Sequence, residues 1–130
     1  MFVQALDHVN IETPDIDRSA KFYADLLGMV SGDRPEFDRP GHWMYVNGQP
    51  IVHIIAPLPD NALVTGSKDA AISHFALRID DYDEMKQRLD DQGFSYRPVQ
   101  VPGRPIRQLF VEDPDGVLVE LIHVPEGSRG

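Results

Sequence analysis

An α+β fold, built as two βαβββ modules in tandem whose strands form a curved mixed sheet, is what this sequence predicts. Three observations predict it. A strand pattern followed by an amphipathic helix and a terminating glycine occurs twice, over residues 3–28 and 72–93. Three shorter extended segments follow each time, the last two joined by a turn signal. A stretch at 57–71 with two prolines, Asp60-Asn61 and Gly66 separates the two occurrences and reads as a linker.

In the first module, residues 3–12 alternate. Leu6, His8 and Asn10 share one face and Val9 and Ile11 the other, which is the two-residue period of a strand. Thr13-Pro14-Asp15 is a helix-start signal. Ile16, Ala20, Tyr23 and Leu27 then form one apolar stripe of a helix that Gly28 ends. Extended stretches are expected at 29–32 and 42–46, and Asn47-Gly48 turns the chain into a returning strand at 50–56. The second module repeats the order. Residues 72–79 place His74 and Ala76 on one face and Phe75, Leu77 and Ile79 on the other. Asp80 or Asp81 caps a helix whose stripe is Tyr82, Met85 and Leu89, and Gly93 ends it. Strands are expected at 95–101, 106–112 and 117–124, the last two joined across Asp113-Pro114-Asp115-Gly116. The chain is thus read as a single domain over 1–130, with module one at about 3–56, the linker at 57–71, module two at about 72–124 and a frayed tail from 125.

Composition narrows the function classes. A chain of 130 residues, 42% apolar, is long enough for a real core. No apolar run approaches the ~20 residues of a membrane span, and the first residues lack the pattern of a secretion signal. With no cysteine, disulfides and thiolate metal sites are excluded, and a cytoplasmic location is expected. The net charge is −9 and the twelve Lys and Arg are scattered, which argues against nucleic acid as a partner. Anionic small molecules remain open, because one arginine can serve one carboxylate.

The repeat gives positional meaning to three of the five histidines. His8 and His74 occupy equivalent places in the first strands of the two modules. His53 lies 45 residues after His8, and Glu120 lies 46 residues after His74, each in its module's last strand. Two matched pairs emerge, His8 with His53 and His74 with Glu120. Glu120 shares a face with Leu118 and Ile122, and His53 shares one with Ile51 and Ile55, so each polar group would be costly to bury alone. If each helix covers the purely apolar face of its sheet, the other faces curve into a metal-binding cup lined by His8, His53, His74 and Glu120. Imidazoles with one carboxylate suit one divalent ion of Fe, Mn, Ni, Co or Zn. His42, at a strand start, and His123, on the face opposite Glu120, are read as non-ligands.

The pattern resembles the vicinal oxygen chelate superfamily, which groups glyoxalase I, extradiol dioxygenases, fosfomycin-modifying enzymes, methylmalonyl-CoA epimerase and bleomycin-resistance proteins. The likeness is carried by Leu6-Asp7-His8-Val9-Asn10-Ile11, by Phe22-Tyr23-Ala24-Asp25-Leu26-Leu27-Gly28, by Ser73-His74-Phe75-Ala76-Leu77, and by the closing run from Phe110 to Leu121. It covers about residues 4–124. The resemblance implies a metal held at His8, His53, His74 and Glu120. His8, His74 and Glu120 match the two-His, one-Glu set of the dioxygenases and fosfomycin enzymes. His53 departs from the Glu of many glyoxalases and the Gln of the epimerases. It is expected either to ligate or to act beside the metal as an acid/base group. The resemblance also implies a homodimer and a small substrate chelated through adjacent oxygens. The chemistry expected first is lyase or isomerase proton transfer with Glu120 as base and His53 as the alternative. Extradiol ring cleavage is the second expectation, and ligand sequestration of the bleomycin-resistance type the third. For substrate contacts, Arg107 is expected to share the face of Glu120 and to hold a carboxylate. Trp43 and Tyr45 are expected at the mouth, and residues 33–41 are weighed as a lid against an ordinary wide loop.

Overall fold

The computed structural model describes residues 2–57 and 72–127. The chain divides into two compact units between residues 68 and 69. The linker read at 57–71 lies, apart from Pro57, outside the described residues, as does the tail from 128.

The first unit contains β1 (Val9–Glu12), α1 (Ile16–Asp25), β2 (Val30–Gly32), β3 (Gly41–Val46) and β4 (Gln49–Ile55). Its sheet order is β1-β4-β3-β2, with β1 parallel to β4 and the other pairs antiparallel. Asp15 caps α1 by accepting from the Arg18 N–H, and the Thr13 hydroxyl accepts from the Asp15 N–H. Gly28, at φ 74°, lets the chain leave the helix in a conformation that a side chain would resist. The Asn47-Gly48 turn has φ of 50° and 79°, as the tight hairpin signal requires. α1 buries Ser19, Ala20, Phe22 and Tyr23, with Leu26 just past its end, against Ile11, Met44, Val52 and Ile54. Its buried stripe therefore runs through 19, 20, 22, 23 and 26; of the spacing's 16, 20, 23 and 27, Ala20 and Tyr23 are buried, and Ile16 and Leu27 are only half-buried.

The second unit repeats the plan with β5 (Phe75–Arg78), α2 (Tyr82–Asp91), β6 (Tyr96–Gln100), β7 (Arg107–Glu112) and β8 (Leu118–His123). The order is β5-β8-β7-β6, again with the first pair parallel. Asp81 rather than Asp80 caps the helix, accepting from the Glu84 N–H, and Gly93 leaves it at φ 75°. Leu89, Leu109, Val111, Val119 and Leu121 form the buried face. Each fully buried side chain of this size contributes about 1.5–3 kcal/mol, so the alternate residues of β7 and β8 fix which face is covered. Hydrogen bonding makes two four-stranded mixed sheets, one per module, in keeping with the tandem βαβββ plan. Both first strands are shorter than the alternation suggested. β1 starts at Val9 and β5 at Phe75, so His8 and His74 each stand one residue ahead of a strand.

Candidate functional site

Strand register explains why the matched pairs form. In the first unit Asn10 is paired with His53, and His8 lies two residues before Asn10 on the same face. In the second unit Ala76 is paired with Glu120, and His74 lies two residues before Ala76. The two pairs thus occupy identical register positions, on the sheet face away from the packed aliphatic residues. Among the described residues no three His, Asp or Glu side chains gather as a metal-ligand group; the candidate ligands stand as one pair in each unit.

The second-unit pair is polar and tightly connected. His74 Nε2 lies 3.0 Å from Glu120 Oε1. Glu120 is 6% exposed, and its other oxygen accepts from the Gln108 side-chain amide at 3.0 Å. His74 Nδ1 meets the Ser73 hydroxyl at 3.0 Å, and its ring packs edge-on to Phe110 at 5.6 Å between centroids. Gln108 had no motif to announce it. Its signal lay in the β7–β8 register, which sets Gln108 and Phe110 on the face of Glu120 and Ile122.

The first-unit pair is a stack. The His8 and His53 rings lie parallel within 10°, 3.8 Å apart, and Trp43 covers the other side of His53 at 4.2 Å. His8 Nδ1 lies 2.7 Å from the Asp7 carboxylate, so in its neutral form it donates there and leaves Nε2 bare. His53 Nε2 donates to the Pro50 carbonyl at 3.0 Å. Its pKa is lowered from 6.5, first by burial and then by its neighbour His8; the Pro50 carbonyl and Asp7 pull the other way, and Arg34 adds to the lowering. His53 is accordingly neutral at pH 7, with its lone pair on Nδ1. The Nε2 of His53 is thereby committed to a backbone carbonyl, which leaves Nδ1 as its available lone pair.

The remaining predicted residues sort by face. Trp43 is paired directly with His53 and stacks on it. Tyr45 follows a register shift in β3; its ring covers Gly32, where an added Cβ would meet it at 2.8 Å, and its hydroxyl donates to the Asp33 carbonyl at 2.5 Å. Arg107 departs from expectation. It is paired with His123, on the helix-covered side, and its guanidinium lies 3.9 Å from the centre of the Tyr82 ring. A four-residue turn would have put Arg107 on the face of Glu120. The observed pairing of Glu112 with Leu118 leaves five residues in the turn, because Asp113 binds Val117 through both backbone and side chain. One residue of register moves every side chain to the other face. His42 also faces its helix, between Ser31 at 3.0 Å and Asp17 at 2.8 Å. His123 shares the covered face with Leu121, its Nδ1 buried without a partner among the described residues. Residues 33–41 are fastened as a wall: Arg39 donates to the Ala56 carbonyl and to Glu12, and Arg34 to the Arg39 carbonyl.

The donor set fits a divalent metal. By donor type an imidazole and a carboxylate suit a divalent ion, and His74 Nε2 and Glu120 Oε1 face each other at 3.0 Å, a hydrogen-bond distance. His8 carries the carboxylate on its far nitrogen that metal-ligating histidines ordinarily have.

Comparison with known proteins agrees with this reading of the fold. The chain is 27% identical over 124 residues to Glyoxylase I 4 of Arabidopsis thaliana, covering 93% of this chain and 71% of that one. It is 27% identical over 128 residues to lactoylglutathione lyase of Salmonella typhimurium, covering 95% of both. To the mitochondrial methylmalonyl-CoA epimerase of Mus musculus it is 27% identical over 126 residues, covering 89% of this chain and 71% of the epimerase. The crystal structure of a putative glyoxalase family protein from Bacillus anthracis superposes with a TM-score of 0.71 at 26% identity, covering 95% of this chain and 98% of that one. The family described as Glyoxalase/Bleomycin resistance protein/Dioxygenase superfamily matches residues 5–121, and the chain belongs to it.

Proposed function

We propose that this protein is a metal-dependent enzyme of the lyase/isomerase type, which moves a proton at the carbon beside a carbonyl in a small substrate held through two adjacent oxygens. The observation that carries the reading is the His74–Glu120 pair with Gln108 behind it. A buried carboxylate held from one side by an amide, with its other oxygen turned toward an imidazole, is a fixed base in a poorly hydrated place. His8, His74 and Glu120 are the residues that would hold the metal, with His53 in the fourth position as an acid/base group. When bound, such an ion supplies Lewis-acid stabilisation of a developing enolate.

The protein's own groups carry the proton. Glu120, loosened from its share in holding the metal, takes it from the carbon at Oε1, while Gln108 keeps Oε2 in place. His53, neutral and with Nδ1 bare, accepts or returns a proton on the first-unit side, and Trp43 holds its ring in plane. The lyase and epimerase relatives share this reaction class with the proposal, and that favours it over oxygen-dependent ring cleavage and over ligand sequestration. A homodimer belongs to the same proposal; Phe2, Val3 and Leu6 before β1 and Ile72 before β5 are exposed apolar side chains that a second copy could cover.

The test joins metal analysis to an activity screen. Purified protein should carry about one divalent ion per chain and isomerise hemithioacetals of 2-oxoaldehydes, with activity lost on chelation and restored by metal. Catechol cleavage consuming oxygen would replace the proposal with the dioxygenase reading. Tight ligand binding with neither metal nor turnover would replace it with sequestration.

A further inference from the structure

The second unit carries a row of side chains that proton transfer alone does not use. Arg97 in β6 is paired with Phe110 in β7, and Phe110 with Glu120 in β8, so the three stand in line on one sheet face. Neighbouring strands lie about 4.8 Å apart, which puts Arg97 roughly 10 Å across the sheet from Glu120. The Phe110 ring fills the interval, with the Arg97 guanidinium carbon 4.8 Å from its centre and the His74 ring 5.6 Å from it. Among the described residues Arg97 has no ion-pair or hydrogen-bond partner, whereas Arg34 and Arg39 bind backbone carbonyls. An open groove of about 440 Å³ lies at the Arg97–Phe110 end of this row, lined by Arg97, Phe110, Glu112, Asp113 and Leu118 among others; Glu120 is not part of its lining.

We propose that Arg97 is a specificity-determining residue that holds a single carboxylate at the far end of the substrate, with the linking hydrocarbon on Phe110 and the reacting carbon at Glu120. This rests on the proton-transfer reading above and names its substrate class. A guanidinium resting on a ring keeps its N–H edge free, and that edge matches one carboxylate with two parallel hydrogen bonds. Glu112 lies two residues beyond Phe110 on the same face of β7 and lines the same groove. Its charge offsets that of Arg97 for a polyanion, so a monocarboxylate fits this groove better than a phosphate. Asp113 lines the groove as well, buried and with its Oδ1 turned to the Asp115 and Val117 N–H groups, and its charge adds to that of Glu112 against a polyanion.

The experiment compares hemithioacetals of methylglyoxal with 6-mercaptohexanoate and with 6-mercaptohexanamide, on metal-loaded protein. Wild type should prefer the acid by about three- to tenfold in kcat/KM, carried by KM. Arg97→Gln should abolish that preference, and Arg97→Lys should keep part of it. A readout free of turnover is the Arg97 Nε–H resonance, assigned by its absence in Arg97→Gln. It should shift on titration with 6-mercaptohexanoate and stay in place with the amide. Absence of isomerase activity together with an acid-specific shift would sink the reaction and uphold the Arg97 site. Equal response to acid and amide in wild type, or an acid preference surviving in Arg97→Gln, overturns the proposal.

Discussion

The two units place a pair of polar side chains at the same register position and then hold them by different forces. In the second unit hydrogen bonds do the holding: imidazole on carboxylate at 3.0 Å and carboxylate on amide at 3.0 Å, with the carboxylate buried and the imidazole exposed. In the first unit ring faces do it, three deep through His8, His53 and Trp43. Replacing the carboxylate of one module by imidazole in the other therefore changes more than a ligand type. A carboxylate anchored from one side offers a charged oxygen to whatever stands opposite. A stacked, neutral imidazole offers one in-plane lone pair, on Nδ1. The difference teaches that structural repetition keeps position while residue identity sets the chemistry; in the proposed reaction the second unit would supply the reacting base and the first a proton-handling group.

The largest effect that can break this comparison is Glu120→Gln. Turnover of the hemithioacetal should fall by about 10²–10⁴-fold, because the base is gone. Metal content, measured by elemental analysis, should fall too. Retained turnover would mean that the reacting base lies in the first unit and that the division of labour is reversed.

His53 sharpens the comparison from the other side. His53→Ala should leave the metal bound and lower turnover by about 10²-fold, as expected for a lost proton carrier. Metal released together with activity would make His53 a ligand, equivalent to Glu120. His53→Glu makes the two pairs alike, and the added carboxylate should raise metal affinity by about tenfold, read in a chelator competition.

The smallest effect concerns how the helices are attached. α1 is tied to its sheet by His42, which meets Asp17 at 2.8 Å, and α2 by the Tyr96 hydroxyl, which donates to Asp90 at 2.6 Å. That bond, with lesser help from burial, pushes the Tyr96 pKa up from 10.0 to about 12. A raised folded value means that the bond's contribution is complete below pH 10 and is lost as pH climbs toward 12. Ultraviolet titration should find a tyrosine ionising at about pH 12. Asp90→Asn should bring that transition back toward 10, and an unchanged titration curve would remove the tie.

What the sequence determined by itself was whatever depends on local period and local chemistry. Alternation at 8–12 and 74–79 placed His8 and His74 on their faces before any partner strand was known, because successive side chains in a strand must point to opposite sides. The helix-ending glycines Gly28 and Gly93 and the Asn47-Gly48 turn follow from steric limits at positive φ, which act within a few residues. Spacing paired His8 with His53 and His74 with Glu120, since the same supersecondary unit occurs twice. The tertiary structure decided whatever depends on how strands meet. The turn from Glu112 to Leu118 uses five residues, one more than its Asp-Pro-Asp-Gly signal, and that single residue sends Arg107 to the helix side and brings Gln108, Phe110 and Arg97 to the side of Glu120. The stacking of His53 between His8 and Trp43 likewise needed the β3–β4 register and the hold of the Pro50 carbonyl on its ring. Period is a property of one segment. Register is a balance of packing and turn geometry between two, and no single stretch of sequence contains it.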